Sequence, residues 1–123
     1  MTPVFINGFG RIGRTMLRAW ALGDWPGVEI AGINDIAAPD LCAHLFAYDS
    51  VFGPYRGNVT YAGGALQLDD VSIPFTTTDD ISTVDLSGVD VLLECTGKAA
   101  TRDIAGRGLR AGAARVLISG PTD

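Results

Sequence analysis

Apolar and polar positions alternate along this chain with two different periods, and each period predicts a different element. A continuous apolar run at residues 3–7 predicts a buried strand, and the amphipathic segment at 11–22 predicts a helix. Helical spacing places Ile12, Leu17 and Trp20 on the face of that helix that we expect to meet the core.

A second strand and a second helix follow after a cluster of turn-forming residues. The apolar run at 28–33 predicts the strand, and residues 39–48, with a proline in the first turn, predict the helix. Leu41, Leu45 and Tyr48 lie on one face of it, which gives an amphipathic pattern.

The middle of the chain changes to short alternating runs separated by glycine and aspartate pairs, which are typical of antiparallel hairpins. These runs lie at 59–61, 66–68 and 71–73. Longer elements then return, with a strand predicted at 89–93, a helix at 101–111 and a strand at 115–119. The order predicts an α/β fold, a doubly wound (Rossmann) and mostly parallel sheet with an inserted antiparallel meander.

A glycine motif joins the first strand to the first helix. Gly8 allows a tight turn, Gly10 allows the backbone to approach a pyrophosphate, and Gly13 allows the helix to pack closely on the sheet. The backbone N–H groups of Arg11 and Ile12, at the positive end of the helix dipole, then face the phosphates. Strand, glycine turn and helix in this order predict a dinucleotide site.

An acid follows the second strand at the spacing that this site requires. Asp35 lies about 20 residues after the last glycine, where a carboxylate accepts hydrogen bonds from a ribose 2′-hydroxyl. A 2′-phosphate would meet the same negative charge. The sequence therefore predicts NAD, and not NADP, as the cofactor.

Several longer motifs resemble one family, the glyceraldehyde-3-phosphate dehydrogenases, in its order and over essentially the whole chain. They are Asn7-Gly8-Phe9-Gly10-Arg11-Ile12-Gly13-Arg14, Ile33-Asn34-Asp35, Ala43-His44-Leu45, Tyr48-Asp49-Ser50-Val51, Thr96-Gly97 with Thr101-Arg102, and 109–113 with 116–121. The resemblance is to the NAD-binding domain of that family, and it implies NAD as the cofactor.

The resemblance also implies places for single residues around the cofactor. Thr96 and Gly97 correspond to the segment beneath the nicotinamide ribose, Ser119 lies near the nicotinamide, and Arg11 lies by the pyrophosphate. The cofactor-binding residues expected in full are Asn7, Gly8, Gly10, Arg11, Ile12, Gly13, Asn34, Asp35, Thr96, Gly97 and Ser119.

In the family, the dinucleotide domain continues through another strand to a catalytic cysteine, and a catalytic domain follows. The family's glycolytic reaction oxidises an aldehyde phosphate with NAD and inorganic phosphate. The resemblance therefore implies that residues 1–123 form one incomplete dinucleotide-binding domain, without catalytic residues and inactive alone. A phosphorylated aldehyde would bind only together with the missing domain.

Two residues of this chain are candidate substitutes for the catalytic residues, and neither is expected to be catalytic. Cys95 ends a strand, but no histidine lies near it in sequence, and most relatives have serine there. His44 is expected to be structural. Two alternatives for the function stay open: an erythrose-4-phosphate dehydrogenase, whose relatives often carry Cys-Thr-Gly at 95–97, and a non-catalytic NAD- or partner-binding module.

Composition excludes other classes of partner. The net charge is −5 with no basic patch, so no nucleic-acid partner is expected, and the apolar runs are too short for a membrane span. Two cysteines and one histidine without CxxC spacing predict no metal site. A first strand directly after Met1 predicts a cytoplasmic protein. A sheet edge uncovered by the missing strand predicts a homo-oligomer.

Overall fold

A computed structural model of the chain describes residues 1–49, 53–96 and 106–118, and these confirm the predicted alternation of strands and helices. The elements in chain order are β1 (Thr2–Asn7), α1 (Arg11–Ala21), β2 (Val28–Asn34), α2 (Pro39–Ala47), β3 (Tyr48–Asp49), β4 (Gly53–Pro54), β5 (Val59–Ala62), β6 (Ala65–Leu68), β7 (Val71–Thr76), a 3₁₀ turn (Ile81–Thr83), β8 (Val91–Glu94), α3 (Arg107–Ala111) and β9 (Arg115–Ile118).

One sheet organises the described part of the chain, in the strand order β5-β6-β7-β2-β1-β8-β9. Strands β7, β2, β1, β8 and β9 run parallel to one another, whereas β6 is antiparallel to both β7 and β5. The chain moves outward from β1 to β2, and later adds β8 and β9 on the other side of β1. This confirms the doubly wound, mostly parallel sheet with an antiparallel meander.

The last strand of the meander is longer than predicted. The third alternating run, at 71–73, extends to Thr76 as β7, which pairs in parallel with β2 through Phe75 and Thr76. The meander is therefore not a separate insertion, because its final strand is also the outermost strand of the parallel sheet.

The central strands of the sheet are buried on both faces, and β1 shows why they are continuous apolar runs. Val4 and Ile6 point into the larger hydrophobic cluster, with Leu17 of α1, while Phe5 between them packs with Leu92 in a second cluster. Successive side chains of a strand face opposite sides, so burial on both sides leaves no place for polar residues.

The predicted core-facing side of α1 is wrong at one position, Ile12. Leu17 is fully buried and Trp20 is half-buried, with its indole N–H donating to the Val28 carbonyl oxygen at 2.8 Å. Ile12, by contrast, is 45% exposed. The buried stripe of the helix runs through Gly13 and Leu17, four residues apart, and Ile12 falls beside that stripe.

The predicted face of α2 is its outer face. Leu41, Leu45 and Tyr48 are all exposed, and Tyr48 is not in the helix, which ends at Ala47. The buried residues are Cys42, Ala43 and Phe46. Apolar side chains lie on most sides of this helix, so spacing alone does not decide which of two i, i+4 stripes is buried.

Phe46 decides which stripe of α2 is buried. Its ring lies 6.1 Å from that of Phe9 in a stacked arrangement and 5.2 Å from that of Tyr55. Such aromatic pairs add to the burial of a large side chain. The helix therefore presents Phe46 to the sheet and its leucines to solvent.

Two further boundaries differ from or lie beyond the predictions. Strand β8 begins at Val91, two residues after the predicted start. Helix α3 begins at Arg107 within the described residues, and the earlier part of the helix predicted at 101–111 lies outside them. No helix in the described ranges is long and apolar enough to cross a membrane.

Candidate cofactor-binding site

Four adjacent parallel strands end in polar side chains at the same edge of the sheet. Asn7, the last residue of β1, is in register with Asn34 of β2 on one side and with Glu94 of β8 on the other. Asn34 is in turn paired with Thr76 of β7. The carboxyl ends of open parallel sheets are where such folds bind ligands.

These side chains form one hydrogen-bonded row. The Asn7 amide nitrogen donates to Glu94 Oε2 at 2.8 Å and to Oε1 at 3.1 Å, and Asn34 Nδ2 donates to Asn7 Oδ1 at 2.8 Å. The Thr76 hydroxyl donates to Asn34 Oδ1 at 2.7 Å. The row thus satisfies three buried polar residues that would otherwise be costly to keep out of water.

The glycine turn lies directly on this row. Gly8 has φ +99° and donates its N–H to the Asn34 carbonyl oxygen at 2.7 Å. A Cβ added to Gly8 would lie 2.7 Å from the backbone carbonyl carbon of Cys95 and the nitrogen of Thr96. Only glycine meets both demands, the positive φ and the close approach of β8.

Gly13 and Gly10 have opposite surroundings. A Cβ on Gly13 would overlap the carbonyl oxygen of Gly8, so this glycine allows α1 to pack on the turn. A Cβ on Gly10 would meet no atom within 4 Å, and Gly10 is exposed at the N-cap of α1. The space in front of Gly10 is therefore open to a ligand at the start of the helix.

The first turn of α1 completes this part of the site. Its first residues, Arg11 and Ile12, are both exposed beside Gly10. The first N–H groups of a helix have no partner within the helix, and they carry the positive end of its dipole. Together with the open space at Gly10, they make this helix start suitable for a phosphate.

Asp35 follows β2 and connects the loops on both sides of it. Its Oδ2 accepts a hydrogen bond from the Phe9 N–H at 2.5 Å, and its Oδ1 accepts one from the Ala37 N–H at 2.8 Å. Each carboxylate oxygen has a second lone pair, so both remain able to accept from a hydroxyl. The carboxylate is therefore held in one orientation and can still bind a ribose.

A cleft of about 230 Å³ opens over this edge. Its lining includes six of the residues expected from the sequence, together with others that the sequence did not single out. The lining residues are Asn7, Gly8, Gly10, Asn34, Asp35, Ile36, Thr78, Asp79, Cys95 and Thr96. Gly97 and Ser119 lie outside the described residues.

Glu94 is a buried residue beside this cleft that the sequence did not predict as part of the site. It is 3% exposed and binds Asn7, and its Oε1 also accepts a hydrogen bond from the Thr96 hydroxyl at 2.7 Å. The sequence did contain a signal, because Glu94 is an acid at the last position of the otherwise apolar strand Val91–Glu94. A charged residue at the end of a buried strand is unusual unless it is paired.

The two cysteines are buried, whereas His44 of α2 is exposed. Burial raises the pKa of the Cys42 thiol to about 11, with the Asp35 carboxylate adding to the rise and Arg14 opposing it. Cys95 Sγ lies 3.8 Å from the sulfur of Met16. The exposed ring of His44 lies 4.9 Å from that of Tyr48.

Within residues 1–49, 53–96 and 106–118, no three His, Cys, Asp or Glu side chains are grouped to hold a metal ion. What this edge of the sheet offers is instead a glycine turn, a helix start, a fixed carboxylate and a cleft between them. Fold and site together define a dinucleotide-binding domain of the Rossmann type.

Comparison with known proteins gives the family. Residues 2–102 match the family model described as glyceraldehyde 3-phosphate dehydrogenase, NAD binding domain. The chain belongs to this family, and the match confirms both the resemblance and NAD as the cofactor of the domain.

Individual relatives agree with the family model. The chain is 43% identical over 122 residues to a glyceraldehyde-3-phosphate dehydrogenase of Xanthobacter flavus, covering 98% of this chain and 36% of that protein. For the enzyme of Clostridium pasteurianum the identity is 40% over 98% of this chain and 36% of the relative. For the cytosolic enzyme of Leishmania mexicana the identity is 41%, over 98% of this chain and 37% of the relative. The chain thus spans just over a third of the length of these relatives.

Proposed function

We propose that this chain is the NAD-binding portion of a phosphorylating aldehyde dehydrogenase. The reaction converts an aldehyde, NAD and inorganic phosphate into an acyl phosphate and NADH. The relatives named above are glyceraldehyde-3-phosphate dehydrogenases, which supports glyceraldehyde 3-phosphate as the aldehyde. The single observation that carries NAD binding by this chain is the Asp35 carboxylate, fixed by two backbone N–H groups at a cleft beside the glycine turn.

The proposed contacts follow the cleft from one end to the other. The ribose hydroxyls of the adenosine half bind Asp35, and the pyrophosphate lies over Gly10 against the N–H groups of Arg11 and Ile12. The nicotinamide half lies towards Thr96. For Gly97 and Ser119, the assignment to the nicotinamide side rests on the family resemblance alone.

The family resemblance assigns the catalytic cysteine and its base to residues that follow the NAD-binding domain, and not to the residues matched here. In the described residues, Cys42 is buried with a raised pKa, and His44 lies beside Tyr48 on the outer face of α2. We therefore infer that the chain alone does not oxidise aldehydes. The expected result is no NADH absorbance above the blank with glyceraldehyde 3-phosphate, NAD and phosphate, and steady turnover would contradict it.

We further propose a cytoplasmic homo-oligomer. In the described part of the chain, β9 is the last strand of the sheet on one side, and Leu117 on it is 58% exposed. An uncovered strand edge favours pairing with a second copy of the chain. Light scattering on the purified chain should give a mass above that of one copy. A single monomeric species across the working concentration range would contradict this proposal.

Calorimetric titration with NAD and with NADP tests the cofactor proposal. The wild-type chain should bind NAD at least about tenfold more tightly than NADP, because the 2′-phosphate meets the Asp35 charge. Asp35→Asn should weaken the binding of NAD and reduce the ratio of the NAD affinity to the NADP affinity. Asp24→Asn, which removes an exposed charge from the loop before β2, serves as the control and should leave the ratio unchanged.

The outcomes of this titration separate the candidates. Equal binding of NAD and NADP by the wild type would contradict the role of Asp35, and no binding of either would contradict a working site in this chain. An erythrose-4-phosphate dehydrogenase would behave identically here, so that alternative must be tested with the complete enzyme. The alternative of a non-catalytic NAD-binding module is tested by the gene: a reading frame that continues into a catalytic domain would contradict it.

A further inference from the structure

We propose that Glu94 is a positioning residue of the cofactor cleft, and that its carboxylate orients the Asn7 and Asn34 amides and through them both walls of the site. Glu94 does not line the cleft and lies behind its wall. The inference rests on the NAD-binding function proposed above, and it assigns a function to a buried acid that the cofactor contacts themselves do not use.

The first step concerns the burial of this acid. Glu94 is 3% exposed at the end of β8, in register with Asn7 of β1. A buried carboxylate is strongly disfavoured unless hydrogen bonds replace its water. Both oxygens receive the Asn7 amide, at 2.8 and 3.1 Å, and Oε1 also receives the Thr96 hydroxyl at 2.7 Å. The carboxylate is thereby held by one residue of the glycine motif and one residue of the cleft lining.

The second step concerns direction. An asparagine side chain has a donor end and an acceptor end, whereas an ionised carboxylate only accepts. Glu94 therefore forces the nitrogen of Asn7 towards itself and the oxygen of Asn7 towards β2. That oxygen accepts from Asn34 Nδ2 at 2.8 Å. The orientation of the first amide thus determines the orientation of the second.

The third step carries the direction to the far wall of the cleft. With its nitrogen facing Asn7, Asn34 turns its oxygen to the Thr78 N–H at 3.0 Å and donates to the Thr78 carbonyl oxygen at 2.9 Å. Thr78 lines the cleft beside Asp79, and Thr96 lines it on the side of β8. One charge behind the wall therefore orders both sides of the cleft.

A glutamine at this position would fill the same space but would not impose the direction. Its side chain can present either an oxygen or an NH₂ group to Asn7, so residue 94 no longer fixes the direction of the row and only the Thr78 backbone does. In the reversed row, Asn34 turns its nitrogen towards the Thr78 N–H, and two donors then face each other. We therefore expect Glu94→Gln to leave the fold intact and to disorder the cleft.

The experiment compares Glu94→Gln with Asp90→Asn, which removes one negative charge from the residue just before β8, at its opposite end. Both variants keep the shape of the side chain. We expect Glu94→Gln to lower the affinity for NAD by about tenfold, the change that loss of one charge-assisted hydrogen bond produces, with the thermal midpoint close to the wild type. Asp90→Asn should keep both values. A wild-type NAD affinity in Glu94→Gln would overturn the proposal.

A second measurement decides the proposal without relying on cofactor binding. In spectra of the ¹⁵N-labelled chain, the side-chain NH₂ signals of Asn7 and Asn34 report the two amides directly. We expect them to shift or to double in Glu94→Gln and to remain in Asp90→Asn. Unchanged signals in Glu94→Gln would overturn the orienting role. Failure of the wild-type chain to bind NAD would instead contradict the proposed function, and the amide signals would still decide the role of Glu94.

Discussion

Gly10→Ala should separate cofactor binding from folding more cleanly than any other change in the glycine motif. Gly10 is exposed at the start of α1, with φ −74° and ψ −158°, an extended conformation that alanine also adopts. A Cβ there meets no protein atom within 4 Å. The methyl group would therefore enter only the space that we assign to the pyrophosphate.

The magnitudes follow from these surroundings. A glycine replaced by alanine in a compatible conformation stabilises a protein by about 0.4–1 kcal/mol, because the unfolded chain loses freedom. For a domain of this size, that corresponds to a rise in the thermal midpoint of roughly 2–6 °C. The affinity for NAD should fall at least about tenfold, or about 1.4 kcal/mol, since the methyl group occupies the place of a ligand atom.

Gly13→Ala is the matched control three residues further along. Its Cβ would overlap the Gly8 carbonyl oxygen and lie 3.3 Å from Cγ2 of Ile6, so α1 must move away from the turn. Overpacking of this kind costs about 1–3 kcal/mol and should lower the thermal midpoint. Calorimetric NAD titration and thermal unfolding of both variants test the reasoning. Wild-type NAD affinity in Gly10→Ala, or a fall of its midpoint like that of Gly13→Ala, would refute it.

Three further predictions address the core and the cleft. Because burial raises the pKa of Cys42 from 9.0 to about 11, the unfolded chain releases this proton first as pH rises. The contribution of Cys42 to the free energy of unfolding is fully present below pH 9 and should fall by at most about 2–3 kcal/mol by pH 11. In urea unfolding, the free energy of unfolding of Cys42→Ala should therefore depend less on pH than that of the wild type. Phe46→Ala should cost about 3–5 kcal/mol in urea unfolding, whereas Leu45→Ala on the outer face should stay within about 0.5 kcal/mol; equal losses would contradict the orientation of α2. Asp79→Asn should raise NADP affinity relative to NAD about two- to fivefold in calorimetry, because Asp79 lines the cleft, and the same gain in Asp24→Asn would show a general charge effect.

The fold was predictable because the central strands of its sheet are buried on both faces. Such strands are continuous apolar runs, and glycines and prolines separate them from the helices. The errors arose where several apolar stripes fit one helix. In α2, Leu41 and Leu45 have the same spacing as Cys42 and Phe46, and only the position of Phe9 across the core decides between them. That position is a property of the tertiary structure and is absent from the local pattern.

The site was predictable only where a residue acts through its own backbone or at a fixed spacing. Gly8 and Gly13 are required by a turn and by a helix contact that are local in sequence, and Asp35 follows from the length of the unit. Glu94 was missed because its partner is 87 residues away, and the pair exists only because β8 is placed beside β1. Long-range pairs of this kind depend on strand order, which the motifs do not state.

The position of the buried polar residues gives an argument for function that does not depend on any motif. Among the described residues, the buried polar side chains are those of Asn7, Asn34 and Glu94, and all three lie at the carboxyl edge of the sheet. Apolar side chains of similar shape would generally fold as well or better, since buried polar groups gain little net stability from pairing. A chain selected for folding alone has no reason to place a charge and two amides side by side at one edge. These three side chains lie together beneath the cleft and next to the glycine turn. That placement is explained if this edge of the sheet must hold a ligand in one orientation.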